Sequence, residues 1–176
     1  HLAFAGTMSL KPSTLIALIH DLIVSLASHG FERIFVVNGH GGNIASSKAA
    51  FAEAYGTVIN RGLSVAPKFR CCLSNWFLVD SVYQLSQELY GDREGRHATP
   101  SEISLTLHLR PSLLAKQQPL PEPPSSSPIY NYIDFRKKHP DGRMGSDPYL
   151  ARPMHGEQLL DKAAEALSKQ LSDFLD

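Results

Sequence analysis

Apolar side chains recur at Leu15, Ile16, Leu18, Ile19, Leu22, Ile23 and Leu26, the three- and four-residue spacing of an amphipathic helix. Ser13 or Thr14 can cap its start and Gly30 its end, which predicts a helix over 13–29. The pattern then changes to Ile34, Phe35, Val36 and Val37, an unbroken β-branched and aromatic run suited to a parallel strand covered on both faces. That run stops at Asn38-Gly39-His40-Gly41-Gly42-Asn43, and the alanine-rich residues 44–55 predict the next helix. Val58 and Ile59, and then apolar stretches within 63–77, offer a second strand ending near Ser74-Asn75-Trp76. Residues 79–90 predict a helix with Val82, Leu85 and Leu89 on one face, closed by Gly91. Another opens at Thr99 or Ser101 with Pro100 in its first turn, continues through Ile103, Leu105, Leu107 and Leu109, and stops before Pro111. Five prolines and three serines in 119–128 exclude regular structure and predict an extended loop. Residues 130–149 read as polar and turn-rich, with turns at Asp141-Gly142 and Asp147-Pro148 and a solvated basic run, Arg136-Lys137-Lys138. A last helix over 156–175 has Leu159, Leu160, Ala163, Ala166, Leu167, Leu171 and Phe174 on its buried side. Helices alternating with strands give an α/β class.

A length of 176 residues and a hydrophobic content of 43% suit one globular domain with a substantial core. Seventeen basic and seventeen acidic residues form no long single-sign block, which argues against a nucleic-acid groove or an anionic membrane surface as partner. No apolar run approaches the roughly 20 residues that span a bilayer, so a soluble, cytoplasmic protein is expected. Cys71 and Cys72 are adjacent in an apolar stretch and are expected as buried thiols.

Chemistry gathers at two polar knots. His40 follows the first strand directly, and ligands of open α/β sheets bind beyond the carboxyl ends of strands. On the residues alone it is either a catalytic or metal-binding group or a cap of the next helix. The second knot is Gly95-Arg96-His97-Ala98-Thr99-Pro100-Ser101-Glu102. Glu102 there falls in a helix's first turn, where the dipole alone favours a carboxylate. His40, His97 and Glu102 together suit a divalent metal and a proton-transfer group, although a catalytic metal usually takes at least three protein ligands. A third reading treats the glycine turn as an anion cradle, but it lacks the phosphate-binding fingerprints.

Several separated blocks resemble the creatininase (creatinine amidohydrolase) family. Residues 1–10 are similar to its His-x-x-x-x-Gly-Thr-x-Ser-Leu block, and Asn38-Gly39-His40-Gly41-Gly42-Asn43 to its Asn-Gly-His-Gly-Gly-Asn motif. His97-Ala98 with Glu102 and Ser104 resembles His-Ala-Gly-x-x-Glu-Thr-Ser; Met144-Gly145-Ser146-Asp147-Pro148 and His155-Gly156-Glu157 resemble its closing region. The resemblance implies a three-layer α/β/α sandwich with a mostly parallel sheet, here a single partial domain over 1–176. It implies two divalent metal ions per site (zinc, manganese or iron), with His40 and Glu102 as metal ligands and His97 as the catalytic proton shuttle. The implied reaction is hydrolysis of a C–N bond of a cyclic or small non-peptide amide by metal-activated water, in a homo-oligomer, hexameric in the best-known members.

Two departures qualify this. The family's Glu-x-His-Gly-x-His-Leu-Pro block and the Asp after it are not in this sequence, which begins at His1, so an N-terminally truncated chain that binds its metals poorly is expected. Creatinine-hydrolysing members carry Tyr-Glu where Gly41 and Gly42 stand, and an aromatic residue where Arg93 stands. Trp76 matches a tryptophan near their substrate, so Trp76, Gly41 and Gly42 are expected to line the substrate site, with a substrate other than creatinine. The alternative is a non-catalytic family member acting as a subunit or binding module.

Overall fold

The computed structural model describes residues 1–124 and 127–176; Ser125 and Ser126, within the loop expected over 119–128, lie outside the described residues. The described residues form two compact units, one of Leu10–Val79 with Ala166–Asp176 and one of His1–Ser9 with Asp80–Glu165.

The first unit contains the sheet. Helix α1 (Pro12–Ser28) starts a residue ahead of the expected caps, because Pro12 itself takes the first helical position and Ser13 and Thr14 fall inside the first turn. Its end is as expected: Gly30 adopts φ +92, its N–H donates to the Ala27 carbonyl, and the Phe31 N–H reaches back to Leu26, the double bond of a glycine stop. Strand β1 (Arg33–Asn38) follows, then a single 3₁₀ turn at Gly41–Asn43 and helix α2 (Ile44–Asn60). Val58 and Ile59, offered above as strand, are the last turn of α2. Val58 is 1% exposed, and its burial against α1 outweighs β-branched propensity. Strand β2 is Arg70–Asn75 and pairs parallel with β1, Ile34 beside Cys71 and Asn38 beside Asn75.

The two faces of this sheet are covered differently. Ile34, with Val36, Cys71 and Leu73, packs on a core of Ile23, Val24 and Ala27 from α1 and Phe51, Ala54 and Val58 from α2. On the opposite face Phe35 meets the Phe174 ring at 5.9 Å, and Ser74 donates to Gln170 at 2.5 Å; both partners lie in the C-terminal part of helix α6 (Pro153–Leu175). Helices, parallel sheet and helix therefore stack as an α/β/α sandwich. Cover is incomplete at Val37, which is 56% exposed. Cys71 and Cys72 are half-buried rather than fully enclosed, and burial pushes the Cys71 thiol up to about 11.

The second unit holds helix α3 (Asp80–Tyr90), helix α4 (Pro100–Leu109), helix α5 (Tyr132–Lys138) and α6 up to Glu165. The region read as polar turns contains α5, opened by the Asn131 side chain accepting from Ile133 and Asp134. Its reason is Phe135, 4% exposed, a single apolar anchor too isolated to produce a periodic signal. The basic run on α5 is engaged rather than merely solvated. Arg136 lies over the Phe4 ring, and Lys138 bonds Asp134 at 2.9 Å. On α6 the expected face is buried at Leu159 and Ala163, whereas Leu160 and Leu171 are exposed.

Two glycines mark the tightest crossings. A Cβ at Gly156 would overlap the Ser104 carbonyl oxygen, and one at Gly95 the Ser146 backbone nitrogen. Beside the first crossing, the buried Ser104 hydroxyl meets the Tyr90 hydroxyl at 2.7 Å and accepts from the Arg152 N–H at 3.1 Å, and burial pushes Tyr90 up to about 12. Beside the second, strand-like bonds join Arg96 N–H to Met144 O and Asp147 N–H to Arg93 O, both at 2.9 Å. Ala98 has φ +54, a conformation that costs a residue with a Cβ about 1 kcal/mol. No helix among the described residues is long and apolar enough to cross a membrane.

Gly156→Ala, which forces α4 and α6 apart, is expected to lower stability by about 3 kcal/mol. Gly56→Ala, on α2 with nothing near its Cβ position, should raise it by roughly 0.5–1 kcal/mol, both read from urea unfolding. Ala98→Gly is expected to raise the unfolding free energy by about 1 kcal/mol by relieving the left-handed backbone; a loss of stability instead would show that Ala98 is at ease there.

Candidate active site

The first polar knot is built on a buried amide. Asn38, the last residue of β1 and 5% exposed, donates through Nδ2 to Asn75 Oδ1 at 2.7 Å and to the His40 carbonyl at 2.8 Å. Its Oδ1 accepts from the His40 N–H at 3.2 Å and from Asn43 Nδ2 at 3.3 Å. The two strand ends and the whole Gly39–Asn43 turn are thus pinned to one side chain. Sequence reading included Asn38 in the motif without giving it a role; the signal was an asparagine at a strand's last position, where the backbone ladder ends and polar groups need new partners.

His40 has an extended backbone and its side chain makes no cap bond; Asn43 occupies the N-cap position of α2. The helix-cap reading of His40 is therefore set aside. A Cβ on Gly42 would lie 2.9 Å from His40 Nε2, so a side chain there would require the imidazole to shift. Gly41 faces the edge of the Phe77 ring at 3.9 Å from a would-be Cβ. Phe77 belongs to the 3₁₀ turn Trp76–Leu78 at the end of β2, and Trp76 is half-buried with its ring edge-on to Phe77 at 6.1 Å. The structure therefore brings His40, Gly41, Gly42 and the Trp76 turn to one edge of the parallel sheet.

The second knot lies in the other unit. Thr99, and not Ser101, caps α4: its hydroxyl accepts from the Glu102 N–H at 3.2 Å while Glu102 Oε2 accepts from the Thr99 N–H at 3.2 Å. This is a complete capping box, a structural occupation for Glu102 more specific than a dipole effect. It engages Oε2 and leaves Oε1 outside the box. His97 is half-buried just ahead of the cap. Its carbonyl accepts from the Ser146 hydroxyl, and its ring stacks on His1.

Glu94 was not singled out from the sequence. It accepts from the Ser101 hydroxyl at 2.5 Å, and its buried Oε2 has no hydrogen-bond partner among the described residues. Burial raises its pKa, the Ser101 bonds oppose that rise, and the charge of Glu102 adds to it. An acidic residue in a loop carries no periodic signal, so only the fold shows that it is enclosed. His155, given no role above, bonds the Tyr90 hydroxyl at 3.1 Å, with a pKa lowered by burial and by Arg152. His139 is 0% exposed and bonds the Arg143 carbonyl at 2.8 Å.

Among the described residues no three His, Cys, Asp or Glu side chains gather as a metal-holding group. Because a catalytic metal takes at least three protein ligands, the described side chains do not by themselves fit one. His40 offers a single imidazole and Glu102 a single carboxylate.

Residues 1–171 match the family model described as "Creatininase: Creatinine amidohydrolase". The chain is 27% identical over 176 residues to "Creatinine amidohydrolase" of Pseudomonas putida, a match covering 97% of this chain and 66% of that protein. It thus spans just under two thirds of that relative's length. The solved structure "Creatininase Mn" is 26% identical with a TM-score of 0.79, covering 97% of this chain and 68% of the other. A mutant creatininase described as "Zn-Zn type" is 25% identical with a TM-score of 0.79, covering 97% and 67%. With residues 1–171 of its 176 matched by the family model, and the two knots built as described, this chain belongs to the creatininase family.

Proposed function

We propose that the protein is an amidohydrolase that cleaves a C–N bond of a cyclic or other small non-peptide amide with water, and that His97 carries the proton to the departing nitrogen. The observation that supports this most is the family match over residues 1–171, which includes both knots. A general acid–base group needs a defined position and access to the reacting atoms. His97 has a bonded carbonyl, a stacked ring and a half-buried setting. Trp76, Gly41 and Gly42 would line the substrate. With no side chain at Gly41 or Gly42, the chain lacks groups that creatinine-hydrolysing members present there, so a substrate other than creatinine is proposed.

Divalent metal ions belong to this reading because similar structures are described as manganese and zinc–zinc forms. The resemblance assigns His40 and Glu102 to them as ligands, and these two by themselves fall short of the three protein ligands a catalytic metal takes. We also propose a homo-oligomer, as the family resemblance implies.

Hydrolysis of a panel of lactams, cyclic imides, creatinine and formamides, with zinc or manganese added, tests the reading. The expected result is turnover of an amide other than creatinine, lowered about 100-fold or more in kcat by His97→Ala. No turnover of any amide, or an indifferent His97→Ala variant, would overturn it in favour of a non-catalytic subunit. Glu102→Gln separates ligation from capping, since glutamine also completes a capping box. Metal affinity should fall by about tenfold or more with the melting temperature held; a fall in melting temperature alone would assign Glu102 to the cap.

A further inference from the structure

We infer that His1 and Phe135 are positioning residues for His97, their rings setting the plane and depth of its imidazole; the inference rests on the role proposed above for His97. The His1 and His97 rings are 4.3 Å apart, their planes within 9° of parallel. Phe135 stands nearly edge-on to His97 at 5.7 Å and tilted against His1 at 5.3 Å. It touches both members of the stack and fixes the side on which they lie.

Phe135 is itself held. It is 4% exposed and packs on Phe4 at 5.6 Å and on His139 at 5.5 Å. His139 is anchored through Nδ1 to the Arg143 carbonyl, and Phe4 is covered by the Arg136 guanidinium at 4.3 Å. Support therefore runs from fully buried side chains outward to the half-buried His97. On the backbone side the His97 carbonyl is bonded by Ser146, and the next residue takes the left-handed conformation. An imidazole fixed at its ring and at its main chain has little freedom to swing. A group that moves a proton between two atoms needs that restraint, because misplacement by about 1 Å can cost roughly 100-fold in rate.

A ring cluster also fills a core whatever its catalytic use, so the test must separate the two. In protein labelled at histidine, the ring protons of His97 are expected upfield from the ring current of the stacked His1. They should move downfield in His1→Ala and remain near their original position in His1→Phe, which keeps a flat ring. On the amide found in the panel, His1→Ala should lower kcat by about tenfold or more with KM within about twofold, and His1→Phe should restore most of it. An unmoved His97 signal in His1→Ala would overturn the stack. A moved signal with unchanged kcat, where His97→Ala abolishes turnover, would overturn the positioning role alone. Turnover that survives His97→Ala would instead strike the functional reading, leaving the stack itself to the spectrum.

Discussion

The buried amide of Asn38 is the contact on which the sheet edge depends. Parallel strands end by leaving backbone groups without ladder partners, and a strand end inside a protein must satisfy them some other way. Asn38 does so with both halves of its side chain, donating to Asn75 and to the His40 carbonyl while accepting from the His40 N–H and from Asn43. Because Asn38 and Asn75 are also register partners, the bond between them aligns the two strand ends. The turn bearing His40 is thereby referenced to the sheet rather than to itself. Residues without side chains then let the imidazole lie close over the chain at Gly42.

The unit around His97 solves a similar problem with different means. No strand delivers His97; two loop segments, 93–97 and 144–147, bond to one another through their backbones. They approach so closely that Gly95 has no room for a Cβ. The capping box of Thr99 and Glu102 then starts α4 at a fixed point. One oxygen of Glu102 closes this helix end, so the carboxylate proposed above as a metal ligand has its position set by the cap.

The elements with strong periodicity were legible beforehand. The apolar stripe of α1, the glycine stop at Gly30, the run Ile34 to Val37, the start of α4 at Thr99 and Pro100, and the long α6 all followed from side-chain pattern and cap chemistry. Errors arose where the pattern was short or mixed. Val58 and Ile59 carry strand propensity but are the last turn of α2, since burial against α1 decides their state. Helix α5 escaped notice because it is only seven residues long with one buried side chain, Phe135, too short a pattern to show a period; Phe135 also packs on the buried His139.

What the sequence by itself determined is the α/β class, the strongly periodic elements, and the two motifs that mark this chain as a creatininase-family member. These depend on local spacing, which a linear string contains in full. Only the tertiary structure decided which groups meet. It disclosed the four bonds of Asn38, the enclosed Glu94, the crossing of Gly156 with Ser104, and the stack of His1 on His97. Each joins residues or surroundings through three-dimensional packing, and in the last case positions 1 and 97 are brought together. Side-chain identity states what a group can do, whereas burial and neighbours state what it does, and those are properties of the folded chain alone.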